Sequence, residues 1–166
     1  MSQHVQCFEL NADEWQRLRE IRLASLLDSP EAFGGDHEKE SAMSEKEWRE
    51  LFKKNSYLVA SFNGQDIAMM FIEKLRGDFG ATCWVGGCWS NPRFRNSGAV
   101  RAMFEYVDSV AEQRGWQIQG LGVFVANKSA IAAYEKLGFA AMGDEQESTR
   151  KPGNFYQRMI RGLELT

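Results

Sequence analysis

Two apolar runs, Tyr57–Phe62 and Ile67–Leu75, meet at Asn63-Gly64, and this junction constrains the fold more than any other feature. Both turn residues tolerate positive φ, so they close a tight turn whose twist suits antiparallel strands. Arg76–Gly80 offers a second turn and Ala81–Ser90 a third strand, which predicts an antiparallel meander. After Pro92 the apolar period changes from two to that of a helix. Val100, Met103, Phe104, Val107, Val110 and Ala111 form one stripe over Gly98–Arg114, and Gly115 is placed to end it. Gln117–Val125 reads as a strand. Asn127 is a good N-cap for a helix with Ala130, Ile131, Tyr134 and Leu137 on its apolar face, stopped by Gly138. Residues 139–143 and about 154–163 are the last two predicted strands. Upstream, residues 12–27 form an amphipathic helix broken by Asp28-Ser29-Pro30, and residues 45–54 a charged one with Trp48, Leu51 and Phe52 as its stripe. Helices, a meander, then β-α-β-α-β predict an α/β domain with a mixed central sheet flanked by helices.

The chain's 166 residues are read as a single domain, 1–166. A net charge of −3 argues against a nucleic-acid binder, whose footprint would be basic. No apolar run approaches the ~18–20 residues of a membrane span. Ser2, Gln3 and His4 carry neither the basic nor the apolar part of a signal peptide, and three cysteines make a poor disulfide framework. A cytoplasmic protein is expected. His4 and His37 lie far apart. Cys83 and Cys88, at odd spacing on one strand, are expected on opposite faces, so no metal site is expected. Nucleotide P-loops, dinucleotide fingerprints, nucleophile elbows and zincin motifs are all missing from the sequence.

The charge is unevenly spread. Residues 1–83 carry ten basic and fifteen acidic groups, and residues 84–166 ten basic and eight acidic, so the halves stand at −5 and +2. Within the basic half, Cys88-Trp89-Ser90 end a strand, Asn91–Ser97 make a polar turn, and a helix begins at Gly98 among Arg93, Arg95 and Arg101. Such a start offers unpaired backbone N–H groups, a positive dipole end and a glycine that lets a ligand approach. It is a candidate phosphate or pyrophosphate site.

Arg95-x-x-Gly98-x-Val100 resembles the Q/R-x-x-G-x-G/A motif of the GCN5-related N-acetyltransferase (GNAT) family. The likeness continues through Val123-Phe124-Val125-Ala126-Asn127, Ala130 and Tyr134-Glu135-Lys136-Leu137-Gly138-Phe139. Upstream, Arg19-x-x-Arg22-Leu23-x-Ser25-Leu26-x-x-Ser29-Pro30-x-Ala32-Phe33 looks like the opening of a bacterial subgroup of that family. The resemblance implies the GNAT fold, with a splayed parallel strand pair beside the meander, and acetyl-CoA as co-substrate. Its pantetheine arm would lie between the splayed strands beside Cys88, Trp89 and Ser90. Its pyrophosphate would sit on Arg95, Asn96, Ser97, Gly98, Ala99, Val100 and Arg101. Asn127 would reach the pantetheine, unless it serves only as a cap. Tyr134 matches the tyrosine that protonates or holds the departing thiolate; as a residue on an apolar stripe it also reads as core. Backbone amides near Trp89 would stabilise the oxyanion.

The implied activity is direct transfer of an acetyl group to a primary amine of a small molecule or peptide. Two departures favour the alternative of a non-catalytic acyl-CoA-binding or regulatory module. Val100 stands where the motif has Gly or Ala, with a side chain that either crowds the pyrophosphate or turns into the core. The strand before Asn127, Gly120-Leu121-Gly122-Val123, lacks the family's basic glutamate. Glu73, then Asp78 and His37, are the substitute bases, and Cys88 is either an acyl carrier or a small hydrophobe. Family acceptor sites correspond to Phe33–His37, Trp48 and Phe155–Tyr156, and the acidic half favours a cationic acceptor only weakly. Five tryptophans and a long final strand are compatible with a homodimer.

Overall fold

A computed structural model describes residues 4–162. Ser2, Gln3 and position 163 of the last predicted strand lie outside that range. Seven strands form one mixed sheet in the order β1-β2-β3-β4-β5-β7-β6. The meander is β2 (Asn55–Phe62), β3 (Gln65–Glu73) and β4 (Cys83–Ser90), with Asn63 and Gly64 at φ 50° and 78° closing its first turn. Strand β5 (Ile118–Phe124) runs parallel to β4, and β7 (Phe155–Gly162) inserts antiparallel between β5 and β6 (Ala140–Glu147).

Each face has its own core. Helix α4 (Ala99–Arg114) and α5 (Lys128–Lys136) cover one face, where Met103, Phe104 and Val107 pack on Leu58, Met70, Val85 and Leu121. Helix α1 (Trp15–Asp28) and α3 (Glu45–Lys54) cover the other, where Leu18, Ile21 and Trp48 meet Tyr57, Val59, Met69 and Trp89. Burial on both sides explains why Tyr57 to Ala60 is a continuous apolar run instead of an alternating one.

Two elements were not foreseen. Strand β1 (Gln6–Glu9) adds to the β2 edge, too short and too polar to show a period. The short helix α2 (His37–Ser41) has no apolar stripe and is set by the Asp36 side chain, which accepts from Lys39 N–H. Strand β6 also runs four residues past its predicted end at 143. All eight of its residues are exposed, so burial left no mark on its sequence.

Candidate active site

Strands β4 and β5 pair only from Cys83, Trp84 and Val85 to Gln119, Gly120 and Leu121. Beyond that the strands part. The cause lies in β4, where the register against β3 slips between Phe71↔Gly86 and Met69↔Trp89. Gly87 and Cys88 together face Met70, a β-bulge with Gly87 at φ 60°. Gly86 is needed too, because a Cβ there would lie 2.3 Å from the Phe71 ring. The fork holds a cleft of about 70 Å³ lined by both glycines, Cys88, Val123, Asn127 and Tyr134, with Phe33 at its α1 side.

The bulge overturns one expectation about the cysteines. It reverses the alternation after Gly86, so Cys88 packs against the same core as Cys83. Its thiol meets the Tyr134 hydroxyl. Burial pushes the Cys88 thiol up to about 11, with the bond from Tyr134 acting in the opposite direction. Burial first, then the neighbouring Cys88, holds Tyr134 well above the ordinary phenol range. At neutral pH both groups therefore keep their protons. The tyrosine has a proton to give, and the cysteine is a poor nucleophile. The Tyr134 ring packs with Phe104 and Phe139 at centroid distances of 6.4 and 5.8 Å, and the residue also lines the cleft.

Asn127 is both a cap and a cleft residue. Its Oδ1 accepts from Ala130 N–H and Ser129 Oγ, each at 3.3 Å, and the residue lines the cleft. Of the three residues expected beside the pantetheine, Cys88 lines the cleft and Trp89 and Ser90 do not. The Trp89 indole turns to the α1 face, where its N–H donates to Asp28 at 3.0 Å. Asp28 also lies 3.5 Å from Arg95, whose Nε donates to the Ser90 carbonyl, so the end of α1 is tied to the turn after β4. Bonds from Ser29 and Trp89 hold the Asp28 carboxyl below its ordinary range.

That turn reaches α4 through two left-handed residues, Asn96 at φ 67° and Gly98 at φ 87°. Gly98 caps the helix without a side-chain bond, and nothing lies within 4 Å of where its Cβ would be. Asn96, Ser97, Gly98 and Arg101 are exposed, as is Arg93, while Ala99 is buried. Val100 turns into the core, leaving the helix start uncrowded. A sixteen-residue helix with an open, positively flanked start can hold an anion such as a pyrophosphate.

Glu73, Asp78 and His37 do not line the cleft. Asp78 is paired with Arg158 at 2.8 Å, and Glu73 sits opposite Trp84 at the closed end of the fork. Trp48 is completely buried, so no acceptor can touch it. The sequence reading missed Gly86-Gly87, although paired glycines inside a strand are the usual mark of a bulge.

The chain matches the acetyltransferase (GNAT) family model over residues 15–139. No curated protein matches its sequence. Its fold is similar to that of an acetyltransferase of the GNAT family from Streptococcus pneumoniae, with 17% identity, a TM-score of 0.76, and 97% of this chain and 100% of that one covered. A GCN5-related N-acetyltransferase from Kribbella flavida aligns at 16% identity and TM-score 0.72, covering 96% and 98%. The protein yncA from Salmonella typhimurium, solved with its cofactor acetyl-CoA, aligns at 14% identity and TM-score 0.73, covering 98% and 96%. With the family model spanning the α1 helix, the fork and the helix start of α4, the chain belongs to the GNAT acetyltransferase family.

Proposed function

We propose that the protein moves an acetyl group from acetyl-CoA directly to a primary amine. The observation that carries this reading is the fork: a cleft between parted parallel strands that ends on a buried tyrosine hydroxyl which keeps its proton. Backbone groups on the parted edges of β4 and β5 bind the pantetheine arm. The helix start from Asn96 to Arg101 takes the pyrophosphate. As the amine attacks, backbone N–H groups near the bulge meet the carbonyl oxygen as it gains charge. The C–N bond forms as the C–S bond breaks, and the proton lost by the amine nitrogen passes to water. Tyr134 gives the departing sulfur a hydrogen bond, or its own proton, which it recovers from solvent. A raised Cys88 thiol supports direct transfer over an acyl-cysteine route.

The reading is tested by acetyl-CoA consumption against a panel of amines, with CoA binding followed separately by thermal shift. Turnover with any amine supports the enzyme. Binding of acetyl-CoA without turnover across the panel replaces it with a non-catalytic acyl-CoA-binding module.

A further inference from the structure

Arg22, on α1, is almost enclosed, with its side chain only 14% exposed. A guanidinium in such a place needs a partner. Glu40 of α2 provides it side-on, accepting from Nε at 2.8 Å and from Nη2 at 3.1 Å. The arrangement is built around the group. Phe33 lies 5.7 Å from it, and a Cβ on Gly35 would fall 2.4 Å from Nη2. On its other side, Nη1 lies 3.2 Å from where a Gly87 Cβ would be. Glycine at 35 and at 87 therefore makes room for one arginine.

The side-on pair with Glu40 leaves Nη1 without a hydrogen-bond partner among the described residues, and the atom is not sealed from solvent. An arginine held through Nε and Nη2 presents its remaining N–H groups in a fixed direction, the geometry that receives a carboxylate. Here that direction is the bulge, where Gly87 and Phe33 both line the cleft. Two carboxylates on the α1 side are already engaged. Glu40 is held by Arg22, while Asp28 is held by Trp89 and Arg95.

We infer that the acceptor is an amine bearing its own carboxylate a few bonds away, amino-acid-like in chemistry, and that Arg22 Nη1 reads that carboxylate beside the Gly87 bulge. The inference rests on the acetyltransferase reading and names its substrate class. Arg22 sets specificity, and Glu40 positions it.

The test compares free amino acids with their carboxamides and with the matching decarboxylated amines, in acetyl-CoA consumption and in thermal shift with CoA present. The free acid is expected to be preferred by about 10–100-fold in kcat/KM, mainly through KM, the scale of one charge-assisted contact. Arg22→Gln brings the ratio of acid to amide to about one. Arg22→Lys, which retains a charge without the fork, restores only part of it. Acetyl-CoA affinity and melting temperature of each variant report on the fold. Equal transfer to acid and amide by the wild type overturns the inference while the acetyltransferase reading stands. So does an Arg22→Gln variant that still prefers the acid. Absence of transfer, with carboxylate-dependent stabilisation that Arg22→Gln abolishes, supports the site and overturns the catalytic reading instead.

Discussion

Replacing Tyr134 by Phe removes one oxygen and leaves the ring among Phe104 and Phe139, so the effect on folding is small. One hydrogen bond to Cys88 is lost, worth roughly 0.5–1.5 kcal/mol. The effect on chemistry should be much larger. General acids contribute roughly 10²–10⁴ in rate, and the departing thiol, with a pKa near ~8.5, is undemanding. The low end applies, so kcat should fall about 100-fold, or roughly 2.7 kcal/mol, with KM for acetyl-CoA within about twofold. The assay is CoA release with a thiol reagent, run from about pH 6.5 to 9.5 on both proteins. The acceptor amine titrates equally in each and cancels in the ratio. Tyr134 itself is held well above the phenol range, so it does not ionise within the window. The ratio of wild type to variant should then be flat across the window, because Tyr134 keeps its proton throughout and the thioester sulfur has none to lose. An unchanged kcat refutes the role, and a ratio that changes within the window refutes a tyrosine that keeps its proton throughout.

Other outcomes follow from the same geometry. Alkylation of Cys88 should be half-maximal at about pH 11, where an ordinary thiol stands at 9.0; at pH 8 that means about 100-fold slower labelling, read by peptide mass spectrometry, with acetyl-CoA protecting further. Gly98→Ala meets no neighbour, so its cost is that of a left-handed backbone alone, about 1–2 kcal/mol in urea unfolding, with weaker CoA binding by calorimetry. Phe104→Ala opens the core under α4 and should cost about 3–5 kcal/mol by the same unfolding measurement.

Much of this architecture can be read from periodicity. Helices α3, α4 and α5 carry apolar stripes because each has one buried face, and the meander shows because Asn63-Gly64 admits few other turns. Elements without a buried face leave no such trace: α2 is held by a polar cap, β1 by an edge pairing and the end of β6 by its ladder to β7. The candidate site was legible where residue type suggests the chemistry: Tyr134 and Asn127 line the cleft, and Gly98 starts α4. It was not legible where two distant segments meet. Arg22 and Glu40 are eighteen residues apart on separate helices, and neither identity reveals that they pair or that Arg22 abuts Gly87. Trp48 shows the converse, an aromatic assigned to a surface that instead fills the space beneath α1.

The extra residue in β4 has a consequence beyond parting two strands. A strand keeps count by twos, and one inserted residue changes the parity of all that follow. Before the insertion, Cys83 and Val85 face α4; after it, Cys88 faces α4 and Trp89 faces α1. Deleting Gly87 would keep Cys88 opposite Met70 and Trp89 opposite Met69, each on its present face, but would remove the bulge and with it the bend that parts β4 from β5. The opening of the cleft is therefore encoded in a residue count. A substitution scan, which preserves the count, would leave that dependence unseen, whereas a one-residue deletion would expose it.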